Sequence, residues 1–197
     1  MYREMSNFCK TGRDLKTSPN DIVYTPKPVA IKMMEMSNIT PNMTVLDCSK
    51  GAGVFYDNLP TCKKDWCEIT EGRDFFEYNE KVDLIIGNPP FSLWTKWIQH
   101  TMKLTNKFCY IMGCFNFTDK RLRDIIDGGF GITQLHLLKI DWWYSPSYLV
   151  VFERGKPSII SVEKKPIYCD ICNSTISKEC RRGRSGFPMN QCSKINN

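Results

Sequence analysis

Asp83-Leu84-Ile85-Ile86-Gly87-Asn88-Pro89-Pro90-Phe91 is the stretch on which the fold turns. Leu84-Ile85-Ile86 is apolar on both faces, as a central parallel strand requires, and Gly87 with the two prolines stops it abruptly. Asn88 therefore stands at the carboxyl end of a buried strand, the edge at which open α/β sheets bind ligands. A residue before proline is held extended, so the Asn88 side chain is presented in one direction rather than left to sample several. Such an amide can grip a planar amine.

Outward from this strand, helical and strand patterns alternate. A helix is predicted over Lys27–Ser37, with Pro28 in its first turn and Val29, Met33, Met34 and Met36 as its apolar positions. Strands follow at 42–49, 65–69, 81–87 and 107–117, and helices at 52–58, 93–104 and 118–127. Thr118 is a candidate N-cap, and Gly128-Gly129 ends that last helix. Two further strands, 132–143 and 148–154, are joined by so short a link, Tyr144-Ser145-Pro146-Ser147, that they are expected to pair antiparallel. The pattern is α/β: a doubly wound sheet closed by a C-terminal antiparallel hairpin. Residues 1–20 read as a flexible arm, 21–155 as the main domain, and 156–197 as a linker with a basic, Cys-rich tail.

At 197 residues and 42% hydrophobic, the chain can build a sizeable core without staples. No run approaches the roughly eighteen apolar residues of a membrane span, and the first thirty residues lack a signal peptide's apolar core. An intracellular protein, cytoplasmic or nucleoid-associated and without a membrane partner, is expected. Cys9, Cys48, Cys62, Cys67, Cys109 and Cys114 are scattered, several in apolar contexts, and read as reduced thiols. The charge is uneven: from Lys164 onward there are seven basic against two acidic residues, whereas residues 1–163 carry 20 against 19. A basic tail beside a neutral body is an electrostatic footprint for a polyanion, with a solvated tail as the alternative.

Asp47-Cys48-Ser49-Lys50-Gly51-Ala52-Gly53 is a glycine turn between strand and helix, where backbone can approach a ligand. Glu68 falls 21 residues after Asp47, at the end of the next strand, where a carboxylate can hold two ribose hydroxyls. Tyr56 stands where a third glycine would complete the dinucleotide fingerprint, and no Gly-Lys-Ser/Thr follows. An adenosine group without a pyrophosphate fits better than a nicotinamide cofactor or a nucleoside triphosphate.

Asp47-x-x-x-Gly51-x-Gly53 followed by Asn88-Pro89-Pro90-Phe91 resembles the S-adenosylmethionine-dependent N6-adenine DNA methyltransferases, over roughly residues 22–153. The resemblance implies a Rossmann-like methyltransferase fold. Tyr24-Thr25-Pro26-Lys27-Pro28-Val29 matches the segment that in that family precedes the glycine motif and helps bind the methionine end, the γ-type motif order. By the same resemblance Tyr24, Thr25, Pro26, Asp47, Gly51 and Gly53 hold the methionine moiety, Glu68 the ribose, and Asp74 with Phe75 the adenine. Asn88 is assigned to both the cofactor and the target amine. Two departures stand out: no proline follows Asp47, and no large target-recognition domain is present.

The chemistry can be argued from the residues. An exocyclic amine is a poor nucleophile because its lone pair is delocalised into the ring, and two acceptors on its hydrogens localise that pair. Asn88 Oδ1 and the Pro89 carbonyl can be those acceptors, within a catalytic motif that includes Pro90, and Phe91 offers a face for stacking the base. Positioning and electrostatics then supply most of the catalysis. Trp142-Trp143-Tyr144 can wedge beside a nucleotide or cap the sheet, whereas Trp94 and Trp97 read as packing residues. In the tail, Cys169-x-x-Cys172 with Cys180 and Cys192 can form a tetrahedral zinc site, with free thiols as the alternative. The expectation is thus a DNA adenine-N6 methyltransferase using S-adenosylmethionine, with structural zinc in the tail. RNA-base or protein-glutamine methylation, or a catalytically silent cofactor-binding subunit on nucleic acid, are the alternatives.

Overall fold

A computed structural model describes residues 23–141, 143 and 145–162. All but Val162 belong to the first of the chain's two units, Met1–Ser161. In chain order the elements are α1 (Lys27–Ser37), β1 (Thr44–Asp47), β2 (Lys63–Trp66), β3 (Leu84–Gly87), α2 (Trp94–Leu104), β4 (Lys107–Gly113), α3 (Asp119–Asp127), β5 (Phe130–Leu138) and β6 (Ser147–Arg154). The strands form one six-stranded sheet in the order β2-β1-β3-β4-β6-β5. The first four are parallel, and β6 lies antiparallel between β4 and β5. The α/β class and the terminal hairpin therefore stand as expected.

Side-chain alternation divides the core into two layers. On one face Val45, Leu84, Ile86, Cys109, Ile111, Leu149 and Val151 meet Ala30, Met33, Met34 and Met36 of α1. On the other, Tyr110 packs on Trp94 of α2 with ring centres 6.2 Å apart, and Phe108 stacks on Phe152 at 4.6 Å. Trp94 and Trp97 are both buried. Each large side chain so buried contributes about 1.5–3 kcal/mol. Pro28 sits in the first turn of α1, the Thr118 hydroxyl accepts the Arg121 N–H to cap α3, and Gly128 ends that helix. Cys48, Cys62, Cys67, Cys109 and Cys114 are free thiols.

Three expectations are corrected. The helix expected over 52–58 is a single 3-10 turn, Tyr56–Asn58. Gly51 and Gly53 both take positive φ, at 52° and 85°, and Pro60 holds Leu59 extended, so too few residues remain between them to nucleate a helix. The next crossover likewise carries 3-10 turns, Ile69–Glu71 and Phe75–Glu77, which leaves α1, α2 and α3 as the α-helices among the described residues. The strand expected to reach Trp143 ends at Leu138; Trp143 is buried in the α1 layer, where it caps the sheet.

The third correction concerns the stretch after Gly155, read as linker. It folds back along β5: Gly155 N–H donates to Gly129 O at 2.8 Å, Ile159 N–H to Ile132 O at 2.8 Å, and Ile132 N–H to Ser158 Oγ at 3.0 Å. The outer edge of β5 is thereby covered. Among the described residues no helix is long and apolar enough to cross a membrane.

Candidate active site

The carboxyl ends of β1, β2 and β3 bring together the glycine turn, Glu68 and Asn88. Asp47, the last residue of β1, is fully buried. Its Oδ1 accepts the Ser49 N–H at 3.3 Å and its Oδ2 the Tyr56 N–H at 3.1 Å, so the carboxyl ties both ends of the glycine turn to the strand. Burial pushes its pKa from 3.8 up to about 7; the hydrogen bonds from Ser49 and Tyr56 oppose that rise, and the charge of Glu68 adds to it. At Gly53 a Cβ would lie 2.7 Å from Asp57 Oδ2, so that carboxylate would have to shift, and the φ of 85° there favours glycine.

Glu68 joins this turn directly. Its Oε2 accepts the Gly51 N–H at 2.8 Å, while Oε1 accepts the Thr70 N–H at 3.1 Å and the Thr70 hydroxyl at 2.8 Å. Burial alone would raise the carboxyl, but these bonds and the nearby Lys50 ammonium together hold it below the usual range. The first 3-10 turn of the crossover is thus capped by the residue that holds Gly51. Lys50 and Arg73 cover the Trp66 ring at 4.0 and 4.2 Å, and pair with Glu71 and Asp65 at 2.9 and 2.6 Å. These contacts pin the end of β2 to the turn.

Tyr24, Thr25 and Pro26 lie alongside. A Cβ at Gly51 would sit 3.6 Å from the Tyr24 ring, Thr25 is buried, and the Pro26 carbonyl accepts the Val29 and Ala30 N–H groups at the start of α1. Asn88 follows β3, and its Nδ2 donates to the Val23 carbonyl at 2.9 Å. Its Oδ1 is buried and accepts no hydrogen bond. An unpaired buried acceptor costs about 1–3 kcal/mol, and a water, an ion or a ligand hydrogen can satisfy it. Pro89 is buried, Pro90 and Phe91 are half-buried, and Phe91 opens a 3-10 turn leading into α2.

Asp74 and Phe75 stand further along the crossover. Asp74 Oδ1 accepts the Phe76 N–H at 2.9 Å, capping the second 3-10 turn. Phe75 does not offer a free ring: it is buried and stacks on Trp97 with centroids 4.4 Å apart. The Cys48 thiol, one residue past Asp47, is pushed by burial up to about 12, so no thiolate is available beside the turn at neutral pH.

Apolar side chains border this edge. Tyr24 is 61% exposed, Leu93 40%, and Phe115, two residues past β4, 69%. Residue types alone did not single out Leu93 or Phe115, nor the Val23 carbonyl, which depends on a contact across 65 residues. The Arg121 guanidinium lies 5.9 Å from the Trp94 ring and borders a cavity of about 360 Å³ between α2 and α3, which Asn88 does not line. Among the described residues no His, Cys, Asp and Glu cluster could hold a metal. Cys169, Cys172, Cys180 and Cys192 lie outside the described residues, as do Trp142 and Tyr144.

A parallel sheet with a terminal antiparallel hairpin, and a glycine turn and an acidic residue at its carboxyl edge, defines a Rossmann-like methyltransferase fold. Solved structures share it. A candidate RNA methyltransferase from Pyrococcus horikoshii superposes with a TM-score of 0.58 at 17% identity, over 75% of this chain and 89% of that one. Trm5 from Methanocaldococcus jannaschii, solved with adenosine, gives 0.55 at 15% identity over 68% and 51%. The N-methyltransferase NodS from Bradyrhizobium japonicum WM9 gives 0.53 at 13% identity over 66% and 96%. No family model matches the sequence, and no curated protein is detectably similar to it.

Proposed function

We propose that the chain is an S-adenosylmethionine-dependent N-methyltransferase acting on an exocyclic amine, with the N6 amine of a flipped DNA adenine as the acceptor. The observation that carries this reading is Asn88: its nitrogen is committed to Val23, and its oxygen is buried with no hydrogen bond. An acceptor held in that state suits an amine hydrogen.

The residues fit the cofactor. Glu68, held as a carboxylate, puts negative charge beside the glycine turn, which suits a sulfonium and an α-amino group, and the turn takes its positive-φ shape at Gly51 and Gly53. Three of the roughly four acceptor positions of the Glu68 carboxylate are filled, leaving one for a ribose hydroxyl. Bound there, the cofactor supplies an electrophilic methyl for in-line displacement. By accepting its two hydrogens, Asn88 Oδ1 and the Pro89 carbonyl localise the amine lone pair on nitrogen, and Phe91 offers a stacking face. Asp74 and the main chain of Phe75 border the adenine.

Phe91 favours DNA adenine as the acceptor, and the basic tail suits a nucleic acid of either kind. RNA is the second reading, favoured by the name of the structural neighbour from Pyrococcus horikoshii. Zinc at Cys169, Cys172, Cys180 and Cys192 rests on cysteine spacing, and metal analysis should find about one zinc per chain. The acceptor is tested by offering the protein isotopically labelled S-adenosylmethionine with unmethylated DNA, RNA and a glutamine-bearing peptide side by side. Label in DNA adenine supports the reading; label only in RNA or peptide moves the acceptor class; no label on any of them overturns enzymatic function.

A further inference from the structure

Val23-Tyr24-Thr25-Pro26 touches both halves of the site. At its C-terminal end Pro26 is anchored by the Val29 and Ala30 N–H groups of α1, and Thr25 is buried. In its middle the Tyr24 ring lies beside Gly51, whose N–H is held by Glu68. At its N-terminal end the Val23 carbonyl accepts Asn88 Nδ2 at 2.9 Å.

A primary amide has two nearly isosteric ends, one donating and one accepting, and a turn of about 180° about its last torsion exchanges them. Only the oxygen can accept an amine hydrogen. If the amide were free to turn, part of the population would face the acceptor with an N–H group and repel it. A carbonyl at Val23 pairs with Nδ2 and would repel Oδ1, so it selects one orientation. Nothing else among the described residues hydrogen-bonds this amide.

We propose that this segment is a positioning strap: the Val23 main-chain carbonyl fixes the Asn88 amide with its oxygen toward the acceptor amine, and the Tyr24 ring against the glycine turn holds that carbonyl in place. Val23 and Tyr24 are positioning residues in this scheme, acting on the reaction through Asn88. The proposal rests on the methyltransferase reading and adds to it a physical link between the cofactor half and the amine half. A tyrosine that served cofactor binding alone would affect cofactor affinity; a strap also affects turnover once cofactor saturates, because the amide then samples the wrong orientation.

The test uses the full chain with Tyr24→Ala and Tyr24→Phe. The first readout is the Asn88 side-chain amide in ¹⁵N-resolved spectra, assigned by its loss in Asn88→Ala, with exchange of its protons against solvent; it needs no turnover. The wild type should show slowed exchange, and Tyr24→Ala should bring it near the free-amide rate, with Tyr24→Phe restoring it. The second readout is kcat at saturating cofactor, expected to fall about tenfold or more in Tyr24→Ala and to recover largely in Tyr24→Phe. An Asn88 amide that exchanges freely in the wild type, or one equally protected in Tyr24→Ala while only cofactor affinity changes, overturns the strap and leaves the methyltransferase reading intact. A wild type that methylates no acceptor counts against that reading, and the exchange measurement still decides the strap.

Discussion

Asn88 presents its oxygen because Val23 takes its nitrogen, and that division of one amide carries most of the functional argument. Substitution by alanine should lower turnover by about a hundredfold or more with cofactor affinity changed less than about threefold, since the side chain is assigned to the amine; calorimetric titration of the cofactor beside a rate assay separates the two. Asp47 makes a different prediction. Its pKa is raised from 3.8 to about 7, so the folded protein holds a proton there that the unfolded chain releases near pH 4. The sign follows from linkage: the stability tied to this group is complete below about pH 4 and drains as pH rises toward 7, by on the order of 4 kcal/mol. Urea unfolding of the cofactor-free protein at closely spaced pH values should show that decline, and a rise in this group's contribution over the same interval would contradict the burial argument. The positive-φ glycines of the turn after β1 were legible because a glycine turn is a local pattern with a local cause. The Val23 carbonyl was not, because main chain offers every residue the same acceptor and only the fold selects one. That Trp97 would cover the Phe75 ring was not legible either, since it too depends on the fold.

Elements follow the same division. The strands and the helices α1, α2 and α3 were legible from apolar period, proline and glycine, with ends displaced by a few residues. The crossovers around β2 were not, because Glu68 and Asp74, which cap 3-10 turns through Thr70 and Phe76, could have capped α-helices with the same bonds. Holding Gly51 through Glu68 ties the crossover to the glycine turn. Glu68→Gln should weaken cofactor binding by roughly tenfold, since a charged acceptor becomes a neutral one that can also present a donor to the Gly51 N–H. A binding isotherm unchanged from the wild type would mean that the turn keeps its shape without it. At the far edge, Gly131 permits close approach of the chain after β6: a Cβ there would fall 2.0 Å from the Lys156 carbonyl oxygen. Gly131→Ala should lift that segment off β5, lower stability by about 1–3 kcal/mol and raise light scattering on warming, as a sheet edge becomes available for pairing. An unaltered melting temperature would show that the covering segment is dispensable.

Across the whole molecule, the sheet order puts β1 and β3 side by side, which is why residues as distant in sequence as Asp47 and Asn88 end at one edge. The charge division gives the scale of the expected partner: residues 1–163 are nearly neutral, and the excess of seven basic over two acidic residues lies beyond them. Nucleic-acid affinity should therefore fall steeply with salt, and charge-neutralising substitution of Arg181, Arg182 and Arg184 should flatten the slope of log affinity against log salt by roughly two to three. A slope that does not move would place the contacting surface elsewhere on the chain. The most direct measurement of the central claim is the identity of the methylated product. The wild type and Asn88→Ala are incubated with unmethylated DNA and labelled S-adenosylmethionine, and the nucleosides are separated by mass. Labelled N6-methyladenine from the wild type and none from Asn88→Ala is the predicted result; equal label from both, or label on a base carbon, would contradict amine activation by Asn88.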